Sequence, residues 1–158
     1  MVQAWVDGQY SKPEAKKQIR EKFPSFGTSP HSLRLGTSVI AINKDQTGLN
    51  AGSRVITVHQ ANFKGDNRDG FSEEAWIHEN AHLAYDYWVY EEKLWKEAVT
   101  RDKKYISDYA KNNPDSEEVA ESFGAWWAYD SRRLQQDDVE KIAERIPARL
   151  GFFHDLNF

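Results

Sequence analysis

The chain has 158 residues, a length that suits one domain able to bury most of its apolar surface. Its 21 basic and 25 acidic side chains are well mixed and give a net charge of −4, which excludes a basic nucleic-acid surface. Cysteine is absent, which excludes disulfides and thiolate metal sites. No apolar run approaches the ~20 residues of a membrane span, and no signal peptide is visible. We therefore expect a monomer with one domain, residues 1–158, and neither nucleic acid nor a membrane as its partner.

The N-terminal half combines one helix with strands. A helix is predicted to begin at Ser11, because Pro13 suits its first turn and Glu14 its dipole. Residues 24–30 indicate a turn-rich break. The β-branched runs 38–43 and 53–59 predict two strands, joined by residues 44–52 as a hairpin with a long loop, and residues 33–35 are a third candidate. His59 at the second strand's end is interpreted as a surface residue, with a ligand role as the minor alternative.

A polar loop and a helix with a distinctive motif follow the strands. The loop, residues 60–70, carries closely spaced oxygen side chains, and an ordinary solvated loop is favoured there over a calcium site. Residues 71–90 then predict a helix, with Ser72 as its cap. Inside it lies His78-Glu79-Asn80-Ala81-His82. At ~3.6 residues per turn both imidazoles share a face and can reach one metal ion, while Glu79 can reach a water on that ion. This is the H-E-x-x-H pattern of zinc hydrolases.

The surroundings of the motif favour a site over a chance match. Apolar residues at helical spacing predict one face for a core, while Asp86 continues the histidine flank. The high aromatic content, 13% of residues, predicts an aromatic core.

The C-terminal half reads as helical. Residues 91–100 continue as helix, and residues 101–113 look irregular. Asp115 is predicted as the N-cap of the next helix with Glu118 completing a capping box, which leaves Glu117 and Glu121 one turn apart without a structural role. Residues 137–140 predict a second capping box, and Pro147 should kink or divide the last helix.

A catalytic zinc site needs a third protein ligand. The six residues after His82 contain no histidine, so a carboxylate on a later helix is expected. Glu117 and Glu121 are the candidates at this stage.

Three ordered blocks resemble a known family. They are Trp76 to His82, Tyr105 to Ala110 with Asn113-Pro114, and Glu117 to Phe123. In this order they resemble the catalytic domain shared by anthrax lethal factor and the Pro-Pro endopeptidases, from about residue 72 to the C-terminus. Ala81 stands where the family has glycine, and Val119 where it has phenylalanine. The aspartate expected three residues after His82 comes four residues after it, as Asp86.

The resemblance implies a role for each matching residue. His78, His82 and Glu117 would be zinc ligands, Glu79 the general base, and Tyr109 a hydroxyl donor to the oxyanion. Glu121 and Asp86 would not bind the metal but would support its ligands from the second shell of the site. The interval from Tyr109 to Glu117 is one residue longer than the family pattern, so Glu121 stays open as the third ligand.

From these residues and the resemblance we expect an α+β fold, a small zincin-like (gluzincin-like) domain with a short sheet over the motif helix and a helical C-terminal half. The expected function is a secreted zinc metalloendopeptidase acting on protein or peptide substrates. Two alternatives remain: a catalytically degenerate relative that binds metal and recognises protein, and a structural domain in which the cluster is coincidental.

Overall fold

The computed structural model describes residues 1–44, 47–60 and 71–156. It is an α+β protein, as the sequence predicts, with a four-stranded sheet followed by a helical C-terminal half. The chain forms two compact units, Met1–Ala84 and Tyr85–Phe158. A single domain over residues 1–158 and its zincin-like character remain predictions.

The first unit contains the sheet, in the strand order β1-β2-β4-β3. Strands β1, β2 and β4 are parallel, and β3 runs antiparallel to β4. Three helices accompany them. The bounds are β1 Gln3–Val6, α1 Lys12–Gly27, α2 His31–Arg34, β2 Val39–Asn43, β3 Thr47–Gly52, β4 Val55–Gln60 and α3 Phe71–Ala81.

The two predicted strands are confirmed as β2 and β4, but the hairpin between them is wrong. They pair in parallel because the residues predicted as a loop form a strand of their own, β3, which pairs with β4 on the far side from β2. The β3–β4 connection is the two-residue turn Ser53-Arg54, and both residues have positive φ, 50° and 65°. That conformation is the one a tight hairpin requires.

Helix α1 begins where predicted. The Ser11 N–H and hydroxyl both donate to the Glu14 carboxylate, at 3.0 and 2.6 Å. The helix runs on through Pro24 to Gly27, so the predicted break at 24–30 starts too early. Phe26, four per cent exposed, packs in the core beyond the proline and stabilises this last turn. Residues 31–34 form α2 instead of a third strand.

The core of the first unit lies on one face of the sheet. Ile40 and Ile42 of β2 and Ile56 and Val58 of β4 are fully buried there. The Trp76 ring of α3 packs edge-to-face on Phe26 of α1, with ring centroids 5.5 Å apart. Trp76 is itself fully buried, so the motif helix is anchored to this face of the sheet by its largest side chain.

The motif helix does not continue as one α-helix to residue 90. A π-helical turn replaces the α-helix from His82 onward, so the continuous-helix prediction is wrong beyond Ala81. The following bounds are π-helix His82–Asp86, α4 Tyr87–Val89, α5 Lys93–Asp102, α6 Asp108–Asn112, α7 Glu118–Asp130, α8 Gln136–Arg145 and α9 Pro147–Asp155. Residues 101–113 are thus partly helical, and Pro147 divides the last helical region as predicted.

The second unit has the aromatic core that the composition predicts. Phe153, fully buried, lies at its centre. Its ring centroid is 5.3 Å from that of Phe123 and 5.6 Å from that of Trp95. Tyr85 and Trp126 complete the cluster at 6.4 and 6.0 Å. These contacts join α9 to α5 and α7 through aromatic edges and faces, the geometry that rings prefer.

Both predicted capping boxes in the second unit are wrong. Helix α7 has Glu117 as its N-cap instead of Asp115, because the Asn113 carbonyl accepts the N–H groups of Ser116 and Glu117 and the helix begins two residues later than predicted. Glu118 points into the interior. Helix α8 begins at Gln136, ahead of the predicted box at 137–140.

Among the helices in the described ranges, none combines the length and apolar character needed to cross a bilayer. The calcium alternative falls on residues 61–70, which lie outside the described residues, as does the side chain of Ser72.

Gly36 supplies a direct test of how closely the motif helix packs. A Cβ at this position would lie 3.0 Å from the Leu83 carbonyl oxygen, one residue after His82. We expect Gly36→Ala to lower the free energy of unfolding by about 1–3 kcal/mol, because backbone must move to admit the methyl group. Urea denaturation measures it.

The matched control is Gly27→Ala, where no atom lies within 4 Å of the added Cβ. It should leave stability unchanged or slightly raised. Equal stability for the two variants would mean that the close approach of Gly36 to Leu83 is not a constraint.

Candidate metal centre

The two histidines of the motif converge on one point. The Nε2 atoms of His78 and His82 are 3.0 Å apart. Their rings are nearly perpendicular, with centroids separated by 4.6 Å and planes at 83°. Both side chains are half-buried. The predicted one-turn pairing is therefore present in the first unit.

This separation suits a shared metal ion. Two nitrogens that each lie about 2.0–2.1 Å from one zinc at a tetrahedral angle are about 3.3 Å apart. The observed 3.0 Å differs from that value by a few tenths of an ångström, within reach of small ring rotations. Neutral imidazole nitrogens are also the donors that zinc accepts most readily alongside carboxylates.

Glu79 follows His78 and is buried, at 8% exposed. Helical geometry places residue 79 about 100° around the axis from His78. Its burial beside the histidine pair makes it part of the same local environment on α3. The position fits a base better than a ligand.

Asn80 fixes the rotation of the motif helix. Its side chain is fully buried, and its Oδ1 accepts the Thr37 hydroxyl at 2.8 Å. Its Nδ2 donates to the Trp76 carbonyl at 2.7 Å. Thr37 lies two residues before β2, which begins at Val39. This bond therefore ties α3 to the segment that leads into the sheet and directs His78 and His82 away from the core.

Ala81, at which the family that the sequence resembles has glycine, is fully buried. A side chain larger than glycine is therefore accommodated at this position. The π-helical turn starts at the next residue, and π-helical turns are frequent at functional sites. This turn also changes the helical phase, so α-helical spacing no longer determines the direction of Asp86. Its supporting role stays a prediction.

In the second unit, Glu117 stands at the N-cap of α7. An N-cap side chain ordinarily accepts the N–H of the second or third helical residue. Here the Tyr90 hydroxyl accepts the Val119 N–H instead, at 3.4 Å. The Glu117 carboxylate makes no side-chain capping bond. Capping therefore does not account for a glutamate at this position.

The surroundings of Tyr90 are electrostatically negative. Burial raises the pKa of the Tyr90 phenol well above its ordinary value, and the carboxylates of Asp86, Glu117 and Asp115 raise it further, while the Val119 N–H opposes them. The phenol is consequently neutral at any ordinary pH.

The roles of Glu121 and Tyr109 stay predictions. Glu121 lies one turn after Glu117, with its N–H donated to the Glu117 carbonyl at 2.9 Å. Tyr109 lies on α6 and is 52% exposed. The alternative of a buried structural aromatic is therefore excluded for Tyr109.

Several residues that shape the site were not recognisable in the sequence. Thr37 and Tyr90 act through hydrogen bonds to distant backbone or side chains, and Glu118 pairs with Arg149 in the interior. For Tyr90 the only signal was its place shortly after the motif. His59 is buried rather than on the surface, and its Nε2 lies 3.2 Å from the Asn50 amide nitrogen.

Comparison with known proteins leaves the family open. No family model matches the chain. No curated protein matches it either. The resemblance to the lethal factor and Pro-Pro endopeptidase domain therefore rests on the sequence blocks described above.

Proposed function

We propose that this chain is a zinc-dependent metalloendopeptidase. The observation that carries the proposal is the convergence of the His78 and His82 Nε2 atoms to 3.0 Å beside the buried carboxylate of Glu79. Two imidazoles and an adjacent carboxylate on one helix are the elements that metal-assisted peptide hydrolysis requires.

The proposed third ligand is Glu117. By the family resemblance, Glu117 would add one carboxylate to the two imidazoles of His78 and His82. This is the composition of a catalytic zinc site that retains an open position. Glu118 is excluded as a ligand because its carboxylate pairs with Arg149.

When bound, zinc supplies Lewis acidity, which polarises the scissile carbonyl and makes water more acidic. The remaining steps belong to the chain. Glu79 accepts the proton of the attacking water and later delivers it to the leaving amine. The Tyr109 hydroxyl donates a hydrogen bond to the oxygen of the scissile carbonyl as that oxygen becomes negative. Glu121 and Asp86 hold the ligands in orientation by hydrogen bonds.

The proposed substrate is an extended peptide. Strand β3 forms one edge of the sheet and packs near α3 in the first unit. A peptide could pair with this edge through backbone hydrogen bonds, the recognition mode called β-addition. The family resemblance also suggests a secreted protein with protein or peptide targets.

The role of Glu79 is tested by Glu79→Gln. We expect the variant to keep about one zinc per chain and to lose peptidase activity by about 10³-fold or more, because glutamine cannot accept the proton. Metal analysis and cleavage of a mixed peptide library are measured on the same preparation. Glu74→Gln, an exposed position on the same helix, is the matched control.

A Glu79→Gln protein without zinc would make Glu79 a ligand and contradict the assignment. Zinc in the wild type without peptide turnover would favour the degenerate, protein-recognising alternative. No zinc in either protein would mean that the histidine pair is coincidental.

The third ligand is tested by comparing Glu117→Ala with Glu121→Ala. Loss of a ligand should reduce zinc affinity more than loss of a supporting hydrogen bond, which typically costs about 10–100-fold. Competition with a chromophoric chelator measures both affinities. If Glu121→Ala shows the larger loss, the ligand lies one turn further along α7 than proposed.

The oxyanion donor is tested by Tyr109→Phe. The hydroxyl is expected to act only on the developing charge, so kcat should fall by about 10²–10³-fold with KM and zinc content nearly unchanged. Tyr87→Phe, at an 87% exposed tyrosine, is the control. Wild-type kcat in Tyr109→Phe would remove Tyr109 from the mechanism and make Tyr105 the next candidate.

A further inference from the structure

A buried charged cluster joins three helices of the second unit. Arg149 of α9 is fully buried, as is Ser122 of α7. Glu118 of α7 and Asp102 of α5 are 2% and 9% exposed. None of these four residues belongs to the proposed mechanism.

The Arg149 guanidinium contacts a partner with each of its three nitrogens. Nε donates to Asp102 at 2.8 Å. Nη1 donates to the Ser122 hydroxyl at 3.2 Å and pairs with the Glu118 carboxylate. Nη2 donates to the Lys104 carbonyl. Because the guanidinium is planar and rigid, these bonds fix both the position and the direction of its partners.

Asp102 in turn determines where Arg149 lies. Its carboxylate accepts the N–H groups of Ala148 and Arg149, at 2.8 and 3.1 Å. Both belong to the first turn of α9, whose amides have no partner within the helix. Asp102 therefore caps α9 from another helix and holds the backbone that carries the guanidinium.

The other end of the cluster holds the start of α7. Glu118 is the first residue of that helix and directly follows Glu117. Its Oε1 also accepts the Ser122 hydroxyl at 3.2 Å, one turn further along. On the Tyr90 side, the phenol holds the next amide, that of Val119. Two contacts therefore fix the backbone of residue 118: its own side chain pairs with Arg149, and the next N–H, that of Val119, donates to Tyr90.

Stability alone does not account for such a cluster. Desolvation of buried charges offsets most of their attraction, and well-packed apolar residues often replace buried ion pairs without loss. What apolar residues cannot supply is a fixed direction at one residue of the helix start.

We propose that Arg149 is a positioning residue for the metal centre. Through Glu118 it sets the rotation of α7 at its first residue and so the direction in which Glu117 presents its carboxylate. The inference rests on the proposed function, since it takes Glu117 to be a zinc ligand.

The decisive variant is the double replacement Arg149→Met with Glu118→Leu. It removes the charges of Arg149 and Glu118, keeps apolar volume in the interior, and leaves Glu117 in place. Circular dichroism and urea denaturation show whether the helices remain. We expect a folded protein whose zinc affinity, measured by chelator competition, is about 10–100-fold weaker, the loss typical of a missing outer contact to a ligand.

Two further variants separate positioning from general destabilisation. Leu150→Ala makes a cavity in the core next to Arg149 but spares the cluster, so the folded protein should bind zinc with wild-type affinity. Glu118→Gln keeps an oxygen acceptor for Arg149 and Ser122. Its zinc affinity should therefore be close to that of the wild type and higher than that of the double variant.

Wild-type zinc affinity in a folded double variant would overturn the proposal, as would an equal loss in Leu150→Ala. If the double variant does not fold, Ser122→Ala decides, because it removes the two bonds of the Ser122 hydroxyl, to Arg149 and to Glu118. Unchanged zinc affinity would then overturn the proposal, and a reduced affinity would support it. Glu117→Ala separates a failure of the proposed ligand set from a failure of the positioning role of Arg149. If that variant binds zinc as the wild type does, the proposed ligand set fails, whatever Arg149 does.

Discussion

The orientation of α3 depends on one buried hydrogen bond, from the Thr37 hydroxyl to the Asn80 amide oxygen. Trp76 packs into the core cluster on the sheet, but a hydrophobic contact leaves rotation about the helix axis loosely determined. The buried amide removes that freedom, because leaving its oxygen without a donor would cost about 1–3 kcal/mol. The two imidazoles therefore face away from the core as a consequence of what Asn80 does inside it. A middle position of the motif, which metal chemistry does not require to be asparagine, thus has a structural reason.

α-Helical spacing explains the pairing of His78 with His82 but not the positions of the residues after His82. Only one turn, from His78 to His82, has to be α-helical for both Nε2 atoms to converge. The π-helical turn begins at His82 itself, where Leu83 also meets the backbone at Gly36. A π-helical turn inserts an extra residue into the helix and redirects everything after it. The displaced aspartate, Asp86, lies at the end of that turn. Its direction therefore follows from the geometry of the π-helical turn and not from the α-helical spacing of the histidines.

The sequence could predict those features of the fold that depend on a few neighbouring residues. The start of α1 at Ser11 and the break at Pro147 follow from capping and proline chemistry, and the pairing of His78 with His82 follows from helical pitch. The pairing of β2 with β4 could not be predicted in the same way, because a parallel or antiparallel choice depends on where β3 lies in space. The capping box at Glu118 failed for a similar reason. A local rule assigned it to its own helix terminus, while a buried guanidinium on α9 offered a stronger partner.

These non-local contacts give a reason for the arrangement at the start of α7. Three consecutive residues there have three different assignments: Glu117 to the proposed metal, Glu118 to Arg149, and the Val119 amide to Tyr90. If Glu117 capped its own helix, its carboxylate would point back along the α7 axis. Because the Tyr90 phenol takes that amide and burial keeps the phenol neutral, the helix terminus is satisfied without adding another charge. The negative charge of Glu117 is also favourable at a helix N-terminus, where the macrodipole is positive. Tyr90 thus takes the amide that an N-cap side chain ordinarily binds, and Arg149 takes the carboxylate of the residue that follows Glu117, so the two residues after the proposed ligand are held by contacts from outside α7.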